Sequence, residues 1–442
     1  MAAKKSKNLL WKIHQWIGLY VGIVIAVLSL TGAVAVFLPE IDGLSEQKYL
    51  LDSAGETLQP VSGIVSEIQS KYPKFQILGV QPPQSDLHPL IIDIYKEDAP
   101  YDSERYQVFV NPYTGEILGT KDHLNSLSNY LRQVHVRLMD AWWGRQLVGL
   151  AGIGLFVLCV TGLLIYGQFM KKQLFGAIRN GINLRVLMAD WHKMVGIAAL
   201  LFNLMIAGTG AWLGLQPVLI KWLDFKAPNA YKRPVKPIEP ADDVLQTYDY
   251  WQAVALSKNE IPGFIPTQII PSKDGTNTLE VKGDAGRLPF EPHISKVVLD
   301  KSSLEILDVY DIREQAFMDK FYYVQEGLHF GRFGGIFLKI AYALLGITSG
   351  VLSITGFFIY LIRKRKTTEE KDQVKKTIFL YSISTVTLLI LLALMVIFVG
   401  YAYATMLVTP AVYIFLVAFI SYQLFLFWRK DKTSKKPIHE NS

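Results

Sequence analysis

Four histidines of this chain stand at matched distances before Thr-Gly pairs. Two of them lie 17 residues before such a pair, and two lie 26 residues before one. The four matches are His14 with Thr31-Gly32, His192 with Thr209-Gly210, His135 with Thr161-Gly162, and His329 with Thr355-Gly356. Neutral imidazole is a common axial ligand of haem iron, and two helices that each present one can hold a haem between them. The spacing therefore predicts four ligands of haem iron and two haem b groups.

Long apolar stretches lie beside these histidines. Hydrophobic residues make up 51% of the 442 positions, and apolar stretches of about 20 residues or more, enough to cross a bilayer, recur along the chain. The six predicted spans are about 16–38, 147–170, 193–220, 334–362, 377–402 and 408–428. They contain no acidic residue, and Lys339 is the only charge well inside one of them. The composition thus predicts a polytopic α-helical membrane protein.

The net charge of +7 is distributed unevenly among the segments that join the spans. If the N-terminus is cytoplasmic, the cytoplasmic pieces 1–13, 171–193, 363–376 and 429–442 hold 21 Lys and Arg against six Asp and Glu. Short basic loops stay on the cytoplasmic side, so both termini are predicted to lie in the cytoplasm. The basic runs that follow two of the spans then anchor helix ends in the lipid bilayer, and no nucleic-acid partner is expected.

One unit is repeated in the chain: a span, an outer segment and a second span occur twice. The outer segments contain turn residues between alternating apolar residues, as in the predicted hairpin 106–118 and its counterpart 297–307. Each segment is predicted to be a small periplasmic α+β module, with a short amphipathic helix over 61–68 in the first.

The expected fold is a four-helix haem-binding bundle with a C-terminal two-helix hairpin and the two modules. The predicted division is a first span in 1–38, a first module in 39–130, a second span in 131–170, a cytoplasmic loop in 171–192, a third span in 193–220, a second module in 221–320, a fourth span in 321–366, the hairpin in 377–428 and a tail in 429–442.

The alternating direction of the spans sorts the histidines into two pairs. His14 and His192 are expected at the cytoplasmic face, and His135 and His329 at the outer face. Ionisable groups near hydrocarbon tend to face the interior of a bundle, which makes them functional candidates. Haem propionates need cations, and the candidates are Arg132, Arg137, Arg145 and Arg332 at the outer pair and Lys12, Arg185 and Lys193 at the inner one. Arg137 and Arg332 are included among the predicted cofactor-binding residues.

Trp142, Trp143 and Arg145 lie beside the outer pair in the sequence and are candidates for an electron exit site. Tryptophans at that depth are also typical of the aromatic belt at a membrane interface, and this second interpretation is the preferred one.

The sequence lacks several common cofactor-binding and catalytic motifs. There is no Gly-rich dinucleotide fingerprint, no P-loop and no His-Glu-x-x-His motif. The single cysteine, Cys159, excludes a cluster of thiolate ligands such as an iron–sulfur centre. A reductant is therefore expected from outside the chain, either a membrane quinol or a cytosolic reductase.

Several motifs together resemble the PepSY-associated transmembrane family. They are Trp-x-x-His-x-x-x-Gly at Trp11–Gly18, Leu-Thr-Gly-Ala at Leu30–Ala33, Asn-Pro-x-Thr-Gly-Glu-Ile-Leu at Asn111–Leu118, and Val-Thr-Gly-Leu-x-Ile-Tyr-Gly at Val160–Gly167. The likeness covers about residues 8–365 and leaves out the last two spans. Characterised relatives are reductases of ferric siderophores in the inner membrane of Gram-negative bacteria, with haem in the membrane and PepSY-type modules in the periplasm.

The resemblance implies that His14, His135, His192 and His329 bind haem, and that the acceptor is a ferric siderophore or another ferric chelate. It also implies a bacterial inner-membrane location. Some relatives carry a fused flavodoxin or flavin-reductase domain that this sequence lacks. The turn of the second outer segment has Ser302-Ser303-Leu304 in place of Thr-Gly, so the same role for both modules does not follow.

Three functions are thus expected in this order. The first is a haem-dependent oxidoreductase that carries electrons through two haem b groups to a periplasmic ferric chelate. The second is a non-enzymatic role, in which the outer modules bind or restrain a partner protein. In the third, the histidines bind copper or iron directly.

Overall fold

The architecture comes from a computed structural model that describes residues 2–96, 104–139, 142–170, 178–179, 183–224, 227–229, 248–272, 277–286, 289–363 and 367–400. The helices are α1 Ala2–Ala35, α2 Leu38–Glu46, α3 Val61–Lys71, α4 Leu127–Arg137, α5 Trp143–Met170, α6 Leu184–Ala198, α7 Leu200–Leu223, α8 Tyr250–Glu260, α9 Phe317–Phe330, α10 Gly335–Arg363 and α11 Thr368–Phe398. The strands are β1 Phe75–Gln81, β2 Leu90–Lys96, β3 Arg105–Val110, β4 Ile117–Asp122, β5 Ile265–Pro271, β6 Thr278–Asp284, β7 Ser295–Asp300 and β8 Ile306–Tyr310.

Within these described ranges, four helices are long and apolar enough to cross a membrane. They are Asn8–Ala35 in α1, Trp143–Tyr166 in α5, Leu200–Leu223 in α7, and Arg332–Arg363, most of which is α10. They match the first four predicted spans, and the chain is a membrane protein. The fifth predicted span, 377–402, falls largely within α11, whereas the sixth, 408–428, lies outside the described residues.

The two outer segments form one continuous antiparallel sheet instead of two separate modules. The strand order is β4-β3-β2-β1-β5-β6-β7-β8, which is symmetric about the junction of β1 with β5. At that junction Val80 pairs with Ile269. Each half would otherwise expose the backbone N–H and C=O groups of an edge strand, and the pairing covers both edges. The sequence does not predict this pairing of β1 with β5. The alternation of apolar and polar residues in a strand does not specify which other strand lies next to it.

The two faces of the sheet have different neighbours. One face packs on α3 and α8 around a core of fully buried aliphatic residues from both halves. On the opposite face, Phe109 stacks on Tyr49 with ring centres 4.1 Å apart. Lys121 on the same face donates to Asp42 and Glu46 of α2, both at 2.7 Å. Because α2 follows α1 directly, this second face is turned toward the helical bundle, and the end of the bundle beneath it is here called the sheet end.

The predicted hairpins are present as β3-β4 and β7-β8, and their turns share one geometry. In the first, the Asn111 carboxamide oxygen accepts the N–H of Tyr113 at 2.9 Å, and Gly115 has φ +79°. In the second, the Asp300 carboxylate accepts the N–H groups of the two serines in the turn at 2.9 Å, and Leu304 has φ +55°. The left-handed conformation strains Leu304, whereas it does not strain Gly115, which has no Cβ atom. The absence of Thr-Gly thus makes the backbone conformation of the second turn less favourable, while the shape of the turn stays the same.

Three of the four histidines lie on short helices that precede a spanning helix. His135 is on α4, His192 on α6 and His329 on α9. Left-handed residues end two of these helices, Leu138 at φ +47° and Gly331 at φ +63°, because a residue in this conformation caps a helix C-terminus. The predicted continuous spans 131–170, 193–220 and 321–366 are therefore each divided into a short helix and a long one.

Small residues let the spanning helices approach closely. A Cβ atom added at Gly152 of α5 would lie 2.7 Å from the backbone nitrogen of Ala211 in α7. Between α1 and α10, the Ser29 hydroxyl donates to the carbonyl of Gly346 at 2.6 Å and accepts the N–H of Gly350 at 2.9 Å. These contacts fix the separation of the helices that carry the histidines and threonines described below.

We expect Gly152→Ala to lower the thermal unfolding temperature of the protein in detergent, because its new methyl group meets backbone atoms that cannot rotate away. The cost of such overpacking is about 1–3 kcal/mol. Gly208→Ala on α7 is the matched control, since a Cβ there meets nothing within 4 Å. Alanine also favours a helix over glycine by about 1 kcal/mol, so Gly208→Ala should be neutral or stabilising. Equal unfolding temperatures for the two variants would contradict the close crossing.

Candidate functional site

The four histidines form two close pairs, one at each end of the bundle. At the sheet end the ring centres of His135 and His329 are 6.2 Å apart, with an angle of 35° between the ring planes. At the opposite end, here called the distal end, those of His14 and His192 are 6.3 Å apart, with an angle of 85°. Each pair joins the two halves of the repeat, α4 with α9 and α1 with α6. The structure thus brings together the residues that the repeat pattern singled out.

Every imidazole contacts the threonine of one Thr-Gly pair through Nδ1. The Nδ1 to Oγ1 distances are 2.9 Å for His14 and Thr161, 3.3 Å for His135 and Thr31, 2.9 Å for His192 and Thr355, and 2.9 Å for His329 and Thr209. The partners are exchanged within each repeat, since α1 supplies the threonine for the histidine of α4 and α5 supplies the threonine for that of α1. The sequence spacing marked the Thr-Gly pairs only as repeat signatures and gave no sign of these contacts.

The threonine hydroxyls also determine which imidazole nitrogen carries hydrogen. Each hydroxyl lies 2.7–2.8 Å from the carbonyl four residues earlier in its own helix and donates to it. Its oxygen is then left to accept, so the imidazole Nδ1 donates. At His135 the carbonyl of Leu28, 3.0 Å from Nδ1, is a second and closer acceptor. The proton on Nδ1 leaves the Nε2 lone pair free, which is the arrangement of a metal-binding histidine with an oriented outer partner.

The glycine of each Thr-Gly pair gives the imidazole room. A Cβ atom at Gly32 would lie 2.6 Å from Cε1 of His135, and one at Gly210 would lie 3.1 Å from Cε1 of His329. The corresponding distances at Gly162 and Gly356 are 3.3 and 3.4 Å from Cε1 of the two distal histidines. Threonine therefore orients the ring. A side chain at Gly32 would overlap the ring of His135, and one at any of the other three glycines would crowd the neighbouring ring.

The spacing of each pair fits one iron between two imidazoles. Two imidazoles bound on opposite sides of a metal, with each nitrogen about 2 Å from it and each ring centre roughly 1 Å further away, have ring centres about 6 Å apart. Among the residues that the structure describes, no group of three or more His, Cys, Asp or Glu side chains is placed to hold a metal ion. A haem iron needs only two protein ligands, because the porphyrin supplies the others. Each pair could therefore hold a six-coordinate haem.

Buried polar atoms near the sheet-end pair support this fit. Within the described ranges, Oε1 of Gln133, both amide atoms of Gln146 and Nε1 of Trp212 are buried without a hydrogen-bond partner. Gln133 lies two residues before His135, and Trp212 lies three residues after Thr209. Buried polar groups are almost always paired in folded proteins. Of these atoms, Nε2 of Gln146 and Nε1 of Trp212 are donors and are suited to an anionic edge group such as a haem propionate, whereas the two amide oxygens are acceptors.

The predicted arginines at the sheet end have different surroundings. Arg332 donates to Glu291 at 3.2 Å and lies 5.0 Å from the ring centre of Phe330. Arg145 is half-buried, and its guanidinium donates to the carbonyl of Leu213 at 2.8 Å, which ties α5 to α7. Arg332 and Arg145 thus have protein partners, whereas Arg137 has no ion pair among the described residues.

The two tryptophans proposed for an electron exit lie at the start of α5. Trp142 is 43% exposed and Trp143 is 65% exposed. Exposed indole rings at the end of a spanning helix match an interfacial aromatic belt. The electron exit role of these residues stays a prediction.

At the distal end, Asp190 is a buried carboxylate that the sequence analysis did not single out. Arg179 donates to it through Nε and a terminal nitrogen at 2.9 Å, and Lys193 donates at 2.7 Å. Hydrogen bonds from Arg179, opposed by burial and aided by Lys193, hold the pKa of Asp190 well below its usual range. Lys193, a candidate propionate partner, is therefore already paired, while Lys12 and Arg185 are exposed. The sequence could have pointed to Asp190, because it is the single acidic residue in the otherwise basic segment 171–193.

We expect Thr209→Val to reduce haem retention at the sheet-end pair, whereas Thr209→Ser keeps it. Valine removes the acceptor for Nδ1–H of His329, and an unsatisfied buried donor costs about 1–3 kcal/mol. Loss of such an outer partner lowers affinity for a bound metal by roughly 10–100-fold. The measurement is haem per chain, by pyridine haemochrome assay after gel filtration at low concentration. Equal retention by the valine and serine variants would contradict the orienting role of the hydroxyl.

Comparison with known proteins identifies the family of this chain. The family described as PepSY-associated TM region matches residues 11–363, which include all four histidines, the four Thr-Gly pairs and both halves of the sheet. An uncharacterized protein of Pseudomonas aeruginosa is 22% identical to this chain. That match covers 53% of this chain and 63% of the length of the relative. The family match extends over most of the chain, which therefore belongs to the PepSY-associated TM region family.

Proposed function

We propose that this protein carries electrons across the cytoplasmic membrane of a bacterium and reduces a ferric chelate on the outer side. One haem b at each histidine pair would serve as the redox centre. The observation that carries this proposal is the geometry of the two pairs. Both have imidazole centres 6.2–6.3 Å apart, and in both the Nδ1 atoms are engaged by threonine, so that Nε2 is available for iron.

The distribution of charge gives the proposed orientation. The predicted cytoplasmic pieces hold 21 Lys and Arg against six Asp and Glu. The first of them, 1–13, immediately precedes His14 at the distal end of α1. The sheet would then be periplasmic, with His135 and His329 on its side of the membrane. His14 and His192 would face the cytoplasmic side, where a quinol or a cytosolic reductase would donate electrons.

Haem b bound at each pair would supply a one-electron Fe(III)/Fe(II) couple whose potential depends on axial ligation and burial. The residues of this chain would hold and orient the ligands of the iron. The threonines hold each imidazole in one tautomer, and the glycines admit the ring. Between the pairs, the buried side chain of Asn203 accepts from Ser349 at 3.0 Å and donates to Thr348 at 3.3 Å. This satisfied polar contact joins α7 to α10 between the two pairs.

Reduction at the outer face has a chemical purpose for a ferric chelate. One electron converts bound Fe(III) to Fe(II), which binds hard oxygen ligands far less tightly, and the metal can then leave the chelator. The resemblance described in the sequence analysis supports this substrate.

The direct test is a set of single His→Ala variants. The purified wild-type protein should have a reducible b-type spectrum with two haems per chain. His135→Ala or His329→Ala should remove the haem at the sheet end and keep the distal one, and His14→Ala or His192→Ala should do the reverse. The measurement is the pyridine haemochrome content with oxidised and dithionite-reduced spectra, because the two sites have different ring-plane angles and surroundings.

His88→Ala is the matched control, since His88 is exposed and hydrogen-bonds to Ser85 in a loop of the outer sheet, and it should leave both haems in place. Full haem content in all four ligand variants would refute the assignment. A folded wild-type protein without colour would favour the non-enzymatic role, and bound copper or iron without porphyrin would favour direct metal binding.

A further inference from the structure

Helix α11 lies beyond both copies of the repeat and packs beside the helix that carries His135. The family match ends at residue 363, before α11 begins at Thr368. The Tyr130 hydroxyl of α4 donates to the backbone carbonyl of Leu389 in α11 at 2.6 Å, and Tyr130 is 3% exposed. A segment outside the repeated unit thus contacts one of the two short helices that bear the sheet-end histidines.

Apolar packing extends this contact along α4. Val134, next to His135 in the sequence, and Met139, just after the end of α4, form one buried cluster with Tyr130 and Val396. Val396 of α11 is fully buried, and burial of a valine side chain contributes about 1.5–3 kcal/mol. α11 therefore holds α4 both before the histidine, at Tyr130, and after it, at Met139.

The same cluster reaches the acceptors of the His135 imidazole. Val27 of α1 packs against the cluster, and the next residue, Leu28, supplies the carbonyl that lies 3.0 Å from Nδ1 of His135. The second acceptor, the Thr31 hydroxyl, lies at 3.3 Å, whereas the other three histidines have threonine contacts of 2.9 Å. The position of α4 against α1 decides how the Nδ1 hydrogen is shared between a carbonyl and a hydroxyl, and the cluster joins these two helices to α11.

The second half of the repeat lacks the tyrosine at the matched position. His329 is the counterpart of His135, and the residue five positions before it is Val324, which has no hydroxyl group. α9 is held on α7 instead, where the Tyr322 hydroxyl accepts from Gln216 at 2.7 Å. The helices of the two sheet-end histidines therefore have different supports, and one of these supports lies outside the repeat.

We propose that α11 positions His135 through Tyr130 and Val396, and so sets the ligand geometry of the sheet-end site without affecting the distal one. The proposal rests on the proposed function, in which His135 is one of two axial ligands of a haem. Hydrogen bonds to the axial ligands and burial tune the potential of a haem iron, and the outer partner of a ligating imidazole sets its orientation and basicity. Tyr130 and Val396 act through His135 and are positioning residues.

The first test compares Val396→Ala with Val399→Ala in the haem-loaded full-length protein. Both changes remove two methyl groups, but Val396 is fully buried and Val399, just past the end of α11, is 58% exposed. In a His14→Ala background, which should keep only the sheet-end haem, we expect Val396→Ala and Tyr130→Phe to shift the midpoint potential and the low-spin electron paramagnetic resonance signal. In a His329→Ala background, which should keep only the distal haem, neither change should shift them, and Val399→Ala should have no effect in either background.

Hydrogen–deuterium exchange of the full-length protein tests the same contact whether or not haem is bound. Val396→Ala should speed amide exchange in α4 about tenfold, because the loss of two buried methyl groups weakens the local contact. Exchange in α9 should stay at the wild-type rate, and Val399→Ala should change neither helix.

Tyr130→Phe keeps the ring and removes one hydroxyl group, so the test stands even if Val396→Ala folds poorly. An unchanged sheet-end signal in both variants, or equal shifts at the two haems, would overturn the positioning role while leaving the electron-transfer function intact. Unchanged exchange in α4 would overturn it as well. Failure of the wild type to bind haem would instead overturn the proposed function itself.

Discussion

The hydrogen bond between a threonine hydroxyl and an imidazole on a neighbouring helix is the interaction on which the site depends. It occurs four times, with Nδ1 to Oγ1 distances of 2.9–3.3 Å. Because the hydroxyl proton is already given to a carbonyl of its own helix, the threonine can only accept, and all four rings are held in the same tautomer. A one-residue shift of either helix would replace the threonine by an apolar residue or by the glycine beside it. Helix register and ligand orientation are therefore fixed together.

This dependence explains the packing of the bundle. The helices that exchange histidine and threonine must stay at one separation, and glycines at the crossing of α5 with α7 and the Ser29 contacts between α1 and α10 provide it. Polar groups inside the bundle find partners within the protein, as in the Asn203 contacts, because lipid offers none. Lys339, the one charge well inside a predicted span, follows the same rule through its ion pair with Glu40 at the end of α2.

The outer part of the molecule is constrained by the same twofold repeat. Pairing of β1 with β5 joins the two halves into one eight-stranded sheet, which places a single rigid surface above both α4 and α9. Those two helices follow the outermost strands, β4 and β8, so the histidines at the sheet end are connected directly to the two edges of the sheet.

The sequence by itself determined the first four spanning helices, the repeat, the two hairpins and the identity of the four histidines, because each of these depends on local periodicity or on spacing along the chain. Even the sorting of the histidines into two pairs followed from the alternating direction of the spans. The tertiary structure decided what spacing does not encode. It showed that Thr161 serves His14 although Thr31 is the threonine matched to it by spacing, that Arg145 and Arg332 already have protein partners, and that β1 meets β5. These are contacts between distant segments, and they depend on side-chain direction and on the edges that are left to pair after each segment has folded.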